Sequence, residues 1–172
     1  RFYQAFAPSA PDELMVHYDL VTAPDGQPAV AFIVSYCGLV DDGEKIIRPL
    51  RECGRLVNDM VRPMPYTVLQ SLGGDLLPAG RHNYWKSSFL AQLSDEAIDT
   101  MIECFARCPT PMGQMLLEHF HGAATRVKVG DTAFPHRADG YNLLVLCEWM
   151  DPATTDRCIA WARETYAELE PF

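Results

Sequence analysis

No stretch of this sequence approaches the roughly 18 consecutive apolar residues of a membrane span, and no basic segment followed by an apolar run opens it as a secretory signal would. Basic charge is scarce. Fourteen Lys and Arg face 23 Asp and Glu, for a formal net charge of −9, and the cations are dispersed. Phosphate backbones are gripped by clustered cations, so neither nucleic acid nor a membrane is an expected partner. Nucleotide-binding signatures are also missing: there is no G-x-G-x-x-G and no G-x-x-x-x-G-K-[ST]. A G-x-S-x-G nucleophile elbow and an H-E-x-x-H helix are absent too. None of the six cysteines stands in a C-x-x-C pair. Cys104 and Cys108 are four apart, and a zinc site would need two more ligands nearby. Six reduced thiols buried as small hydrophobes are the expectation, which points to a reducing, cytoplasmic compartment. The chain opens on Arg1 rather than Met, as a piece trimmed or excised from a longer protein would.

What the chain does have is enough apolar material for a core: 172 residues, 48% of them hydrophobic, read as one domain over residues 1–172. Leu14, Val16, Tyr18 and Leu20 alternate with other residues in Glu13–Thr22, the period of a strand. Ala23-Pro24-Asp25-Gly26 is turn chemistry, and Ala29–Tyr36 follows as the second strand of a hairpin. Asp41 and Asp42 suit the cap of a helix from about Gly43 to Cys53, with Pro49 awkward inside it. Tyr66–Ser71 reads as a third strand, followed by a loop flanked by Gly73-Gly74 and Pro78-Ala79-Gly80. Asn83–Ser87 reads as a short aromatic strand. Ser94 caps a helix over Asp95–Arg107 with Ile98, Met101, Ile102 and Phe105 on one face. Met115–Phe120 and Tyr141–Trp149 are further strands, and Gly122–Val127 continues or turns from the first of these. Asp151-Pro152 opens a last helix that runs to about Leu169. The order predicts an α+β fold, with an antiparallel sheet of about six or seven strands and helices packed on one face. The other face then needs a cover: a second domain, a second subunit or a ligand.

Polar groups inside apolar strands are the candidates for chemistry. Glu118 interrupts LLEHF; on an open sheet face, burial would raise its pKa and suit it to proton transfer or substrate binding. A surface or ion-paired glutamate fits the same residues. Asn142 shares a face with Leu144 and Leu146 and must find hydrogen-bond partners, in a ligand or in nearby backbone. Trp85 offers a flat ring for stacking or for plain packing. His119 and His121 point to one face, opposite Glu118 and Phe120; a third metal ligand is not evident, and no metal is expected.

In order along the chain stand PMPYTVLQS (63–71), YWKSSFL (84–90), LLEHFHGA (116–123), TAFPHR (132–137), YNLLVLCEW (141–149) and IAWAR (159–163). This succession resembles the substrate domain of FAD-linked oxidases of the berberine bridge enzyme type, over almost the whole chain. The run through F-P-H-R to Y-N carries most of the specificity. The resemblance implies a two-domain parent in which a separate domain binds FAD, while an antiparallel sheet backed by helices covers the flavin ring. It implies hydride transfer from an alcohol, sugar, amine or phenolic substrate to flavin. It implies that Trp85, Glu118 and Asn142 meet the substrate, with Asn142 standing where some relatives hold a Glu, and that His136 and Arg137 are structural. The family's catalytic Tyr segment would fall beyond residue 172, so which residues are catalytic stays open, while no cofactor-binding residue is expected here and no activity for the piece alone. The expected partners are the parent's own FAD domain and a small-molecule substrate, with self-association through the open face when that domain is absent. The residues also allow a non-catalytic dimeric α+β module that holds an apolar ligand on that face.

Overall fold

A computed structural model describes residues 1–76 and 78–172. Five strands form a single sheet: β1 (Leu14–Thr22), β2 (Pro28–Tyr36), β3 (His82–Leu90), β4 (Gln114–Phe120) and β5 (Gly140–Trp149). Their order is β2-β1-β4-β5-β3, and every neighbouring pair is antiparallel. The helices are α1 (Phe2–Phe6), α2 (Val40–Glu52), α3 (Tyr66–Leu76), α4 (Asp95–Ala106), α5 (Ala123–Arg126) and α6 (Thr155–Leu169).

The α+β class and the antiparallel sheet agree with the sequence; the strand number does not. Tyr66–Ser71, expected as a strand, is the start of α3, and the chain after Gly122 makes the single helical turn α5. A short apolar run cannot be assigned to helix or strand by periodicity alone. Here the Pro65 carbonyl accepts from the Val68 and Leu69 amides and starts a helix. That helix runs through Gly73 and Gly74, expected at the edge of a loop, while Leu77 of that loop lies outside the described residues. Helix α2 also begins earlier than expected. Leu39 is its N-cap, and Asp41 and Asp42 sit in the first turn, where their charge suits the helix dipole, rather than capping it with their side chains. Ser94 does cap α4, accepting from the Ala97 amide at 3.1 Å.

Strand periodicity sorts the side chains onto two unlike faces. Leu14, Val16 and Leu20 of β1, Met115 and Leu117 of β4, and Leu143, Val145, Cys147 and Trp149 of β5 are buried. They share one core with Tyr3 of α1, Met101 and Phe105 of α4, and Trp161 and Leu169 of α6. Two polar groups buried there are satisfied through backbone: Tyr3 donates to the Val16 carbonyl at 2.7 Å, and the Trp161 indole to the Cys104 carbonyl at 2.9 Å. On the opposite face Leu116, Glu118, Asn142 and Leu144 are half-buried, and Trp85 and Phe89 are exposed. No helix among the described residues is long and apolar enough to cross a membrane.

Adjacent leucines of β5 report this two-sidedness. Leu143→Ala opens a cavity in the core and is expected to cost about 2–5 kcal/mol of unfolding free energy. Leu144→Ala, on the half-buried face, is expected to cost less than half as much. Denaturant unfolding of the two variants checks the difference.

Candidate functional site

Register builds the site. Direct cross-strand partners share a face, and pairing aligns Ile33 of β2, His17 of β1, Glu118 of β4, Asn142 of β5 and Phe89 of β3 in one transverse row. The start of β5 is fixed by Gly140, at φ +155°, where a Cβ would stand 2.7 Å from the Leu90 carbonyl oxygen. Only glycine fits there without displacing backbone, and Asn142 follows two residues later on the same face.

Within the row, the Asn142 amide nitrogen donates to Glu118 Oε2 at 2.7 Å. Glu118 Oε1 lies 3.9 Å from His17 Nδ1. Burial pushes the His17 pKa below its ordinary value, and the Glu118 carboxylate opposes this only in part. The imidazole is therefore biased towards its neutral form. The pair thus holds one carboxylate oxygen in place, while the other faces a neutral ring. Such a carboxylate can accept a hydrogen bond or a proton from a ligand. Asn142 can orient Glu118 and offer its amide oxygen, but it cannot act as a base.

Trp85 is on the same face by register, opposite Leu146, yet not in this row. Phe89 lies four positions further on, about 13 Å along the strand. It borders a shallow depression of about 340 Å³ together with Asn83, the 78–80 loop and the Arg81–Glu148 ion pair at 2.9 Å. The structure therefore joins Glu118 with Asn142 and sets Trp85 apart from them.

Sequence reasoning misses three residues of this face, His17, Asp19 and Phe89, although the pattern of β1 holds the first two. If Leu14, Val16, Tyr18 and Leu20 face the core, His17 and Asp19 must face the other way. Phe89 was outside the expected strand, which in fact reaches Leu90. It stacks on His136 at 4.2 Å and meets Phe120 edge-on at 5.8 Å, and Phe120 in turn stacks on Phe134. The F-P-H-R segment is thereby laid against this end of the face. Arg137 holds the segment in shape, donating to the Phe134 and Ala124 carbonyls and to the Thr132 hydroxyl. His119 and His121 stack on each other on the core side; His119 meets Asp139 at 3.2 Å, and His121 meets the Leu14 carbonyl at 3.1 Å. No group of three possible metal ligands occurs among the described residues.

No protein-family model matches the chain. An FAD-linked oxidoreductase of Dictyostelium discoideum is 24% identical over 173 residues, spanning 98% of this chain and 36% of the relative. Berberine bridge enzyme from Eschscholzia californica superposes with a TM-score of 0.79 at 18% identity, over 99% of this chain and 37% of the enzyme. The chain has the fold of one segment of berberine bridge enzyme. A berberine-bridge-like protein of Arabidopsis thaliana gives a TM-score of 0.75 at 19% identity, covering 99% of this chain and 39% of the other. A variant of Phl p 4 described as a glucose oxidase gives 0.74 at 18% identity, covering 99% and 37%. The chain thus spans a little over a third of the length of these relatives.

Asp19, one step along β1 from His17 on this face, is only 5% exposed, and burial pushes its carboxyl up to about 7. A carboxyl whose pKa is raised on folding contributes its stability below the unfolded value near 4, and that contribution is lost as pH rises through about 7. Asp19→Asn is therefore expected to gain on the wild type between pH 4 and pH 8, by on the order of a few kcal/mol. Unfolding free energies measured across that range check the sign; a constant difference would contradict it.

Proposed function

We propose that this chain is the substrate-side part of an FAD-dependent oxidoreductase, its half-buried sheet face closing over substrate and flavin held by the rest of a longer protein. The Glu118–Asn142 pair carries this reading: a hydrogen-bonded polar pair set among Leu116, Leu144 and Phe89 on the face opposite the core. An apolar surface with a few fixed polar groups is the ordinary make-up of a small-molecule site. The FAD-linked oxidoreductase from Dictyostelium and the fold of berberine bridge enzyme point the same way.

The residues fit a cover over a ring system and not the whole cofactor. Pyrophosphate needs backbone amides and positive charge at a loop or helix start. Among the described residues, the glycine of positive φ that precedes a helix is Gly122, where a Cβ would lie 3.0 Å from the Asp12 carboxylate. An anion there would meet negative charge. In the parent protein the flavin, when bound, supplies the hydride acceptor. This chain's share is to orient the substrate through Glu118, to fix Glu118 through Asn142, and to exclude water with Trp85, Phe89 and the leucines of the face. An alcohol, sugar, amine or phenol would each present the donor group that Glu118 can accept. The chain by itself is then inactive and binds no flavin tightly.

In the full-length protein, Glu118→Gln is expected to lower kcat/KM by about 10- to 100-fold, the loss of a charged hydrogen bond, with flavin content unchanged. Steady-state kinetics beside flavin absorbance test this. Unaltered kinetics would return Glu118 to a structural role. The separate 172-residue chain, purified, is expected to be colourless; a yellow preparation with stoichiometric flavin would refute the division of labour.

A further inference from the structure

Asp19 is a buried carboxyl group for which no hydrogen bond or ion pair is seen among the described residues. It is 5% exposed, and its Oδ1 has no hydrogen-bond partner among the described residues. Nothing on the core side explains it, because its cross-strand partners are Ala31 and Leu116, on the face that carries Glu118. A buried acceptor left unpaired costs stability, and a bound group that satisfies it is one reason for keeping it.

Register places that acceptor at the site. Leu116 is opposite Asp19, and Glu118 is two residues further along β4, which makes Asp19 and Glu118 diagonal neighbours. Diagonal Cα atoms in such a pair are about 7–8 Å apart, with the side chains closer. A small donor group above Leu116 would have both residues as neighbours, while Leu116 and Leu144 provide apolar contact beside it. Two acidic groups so placed disfavour a bare anion. A hydroxyl or an ammonium would satisfy both.

We infer that Asp19 is a ligand-binding residue which, with Glu118, receives the hydroxyl or amino group of a ligand whose body is apolar. The inference rests on the substrate-side role proposed above and adds to it a second acceptor and the class of group received. Raised towards neutrality by burial, the Asp19 carboxyl can also donate to a hydroxyl oxygen when it is protonated.

The test uses the full-length protein with its flavin and three probes of one shape: benzyl alcohol, benzylamine and toluene. Affinities are read by titration calorimetry or NMR for the wild type, Asp19→Leu, Asp19→Asn and Glu118→Gln. Asp19→Leu is expected to lose about tenfold or more in affinity for benzyl alcohol or benzylamine while keeping toluene, with a melting temperature held or raised. Whichever of the two polar probes loses more identifies the group received. If Asp19→Leu does not fold, the near-isosteric Asp19→Asn decides, through a selective loss of benzylamine or benzyl alcohol relative to toluene. Unchanged ratios of polar to apolar probe in a folded variant overturn the inference. If Glu118→Gln shows the selective loss and the Asp19 variants do not, Asp19 alone is excluded and the substrate face stands. If neither residue matters, or the wild type binds none of the probes saturably, both readings fall.

Discussion

The pairing of β4 with β5 is the constraint on which the site depends. Leu117 lies opposite Leu143, and Glu118 opposite Asn142, so the same register that buries two leucines in the core aligns the amide with the carboxylate. Side chains alternate strictly, and a slip of one residue would turn Glu118 into the core and expose Leu117. Burial of each leucine is worth about 1.5–3 kcal/mol, and an unpaired carboxylate in the core would cost more. The core therefore enforces the geometry of the opposite face. Gly140 supports this from the strand end, since no other residue lets β5 start so close to the Leu90 carbonyl.

From that register the remaining parts follow in sequence. The antiparallel pairing of β1 with β4 brings His17 beside Glu118 and Asp19 diagonal to it. The pairing of β3 with β5 brings Phe89 beside Asn142, and the F-P-H-R segment closes that end by stacking. The row sets one carboxyl group between His17 and Asn142 in its half-buried middle strands and is aromatic at its β3 end. Such a surface suits the ligand proposed above, partly apolar with one donor group.

Much of the fold could be read from the sequence where one signal dominated. Tyr141–Trp149 is apolar and long enough that strand was its plain meaning, and Ser94 announced α4. Tyr66–Ser71 misled because six residues of mixed character fit both periods, and the helix is settled by the carbonyl of Pro65 and by residues beyond Ser71. The geometry of the candidate site was legible in part for the same reason. Alternation predicts which face a residue takes within its own strand, so Glu118 and Asn142 could be chosen. Alternation carries no information on which residue of another strand lies opposite. The 2.7 Å contact between Glu118 and Asn142, the distance of Trp85 from them, and the place of Phe89 all depend on inter-strand register, which local sequence does not state. His17 and Asp19 are the polar positions of β1, but the strand signal rests on its apolar positions and says nothing of what its polar ones meet.

The central claim is that the face bearing Glu118 and Asn142 covers a flavin-linked substrate site. A crystal structure of the full-length protein with its flavin and a bound substrate analogue tests it most directly. The account predicts the flavin ring on the Glu118–Asn142 side of the sheet, with a donor group of the analogue within hydrogen-bonding distance of Glu118. A flavin on the helix side of the sheet, or an analogue bound away from the row of His17, Glu118, Asn142 and Phe89, would contradict it.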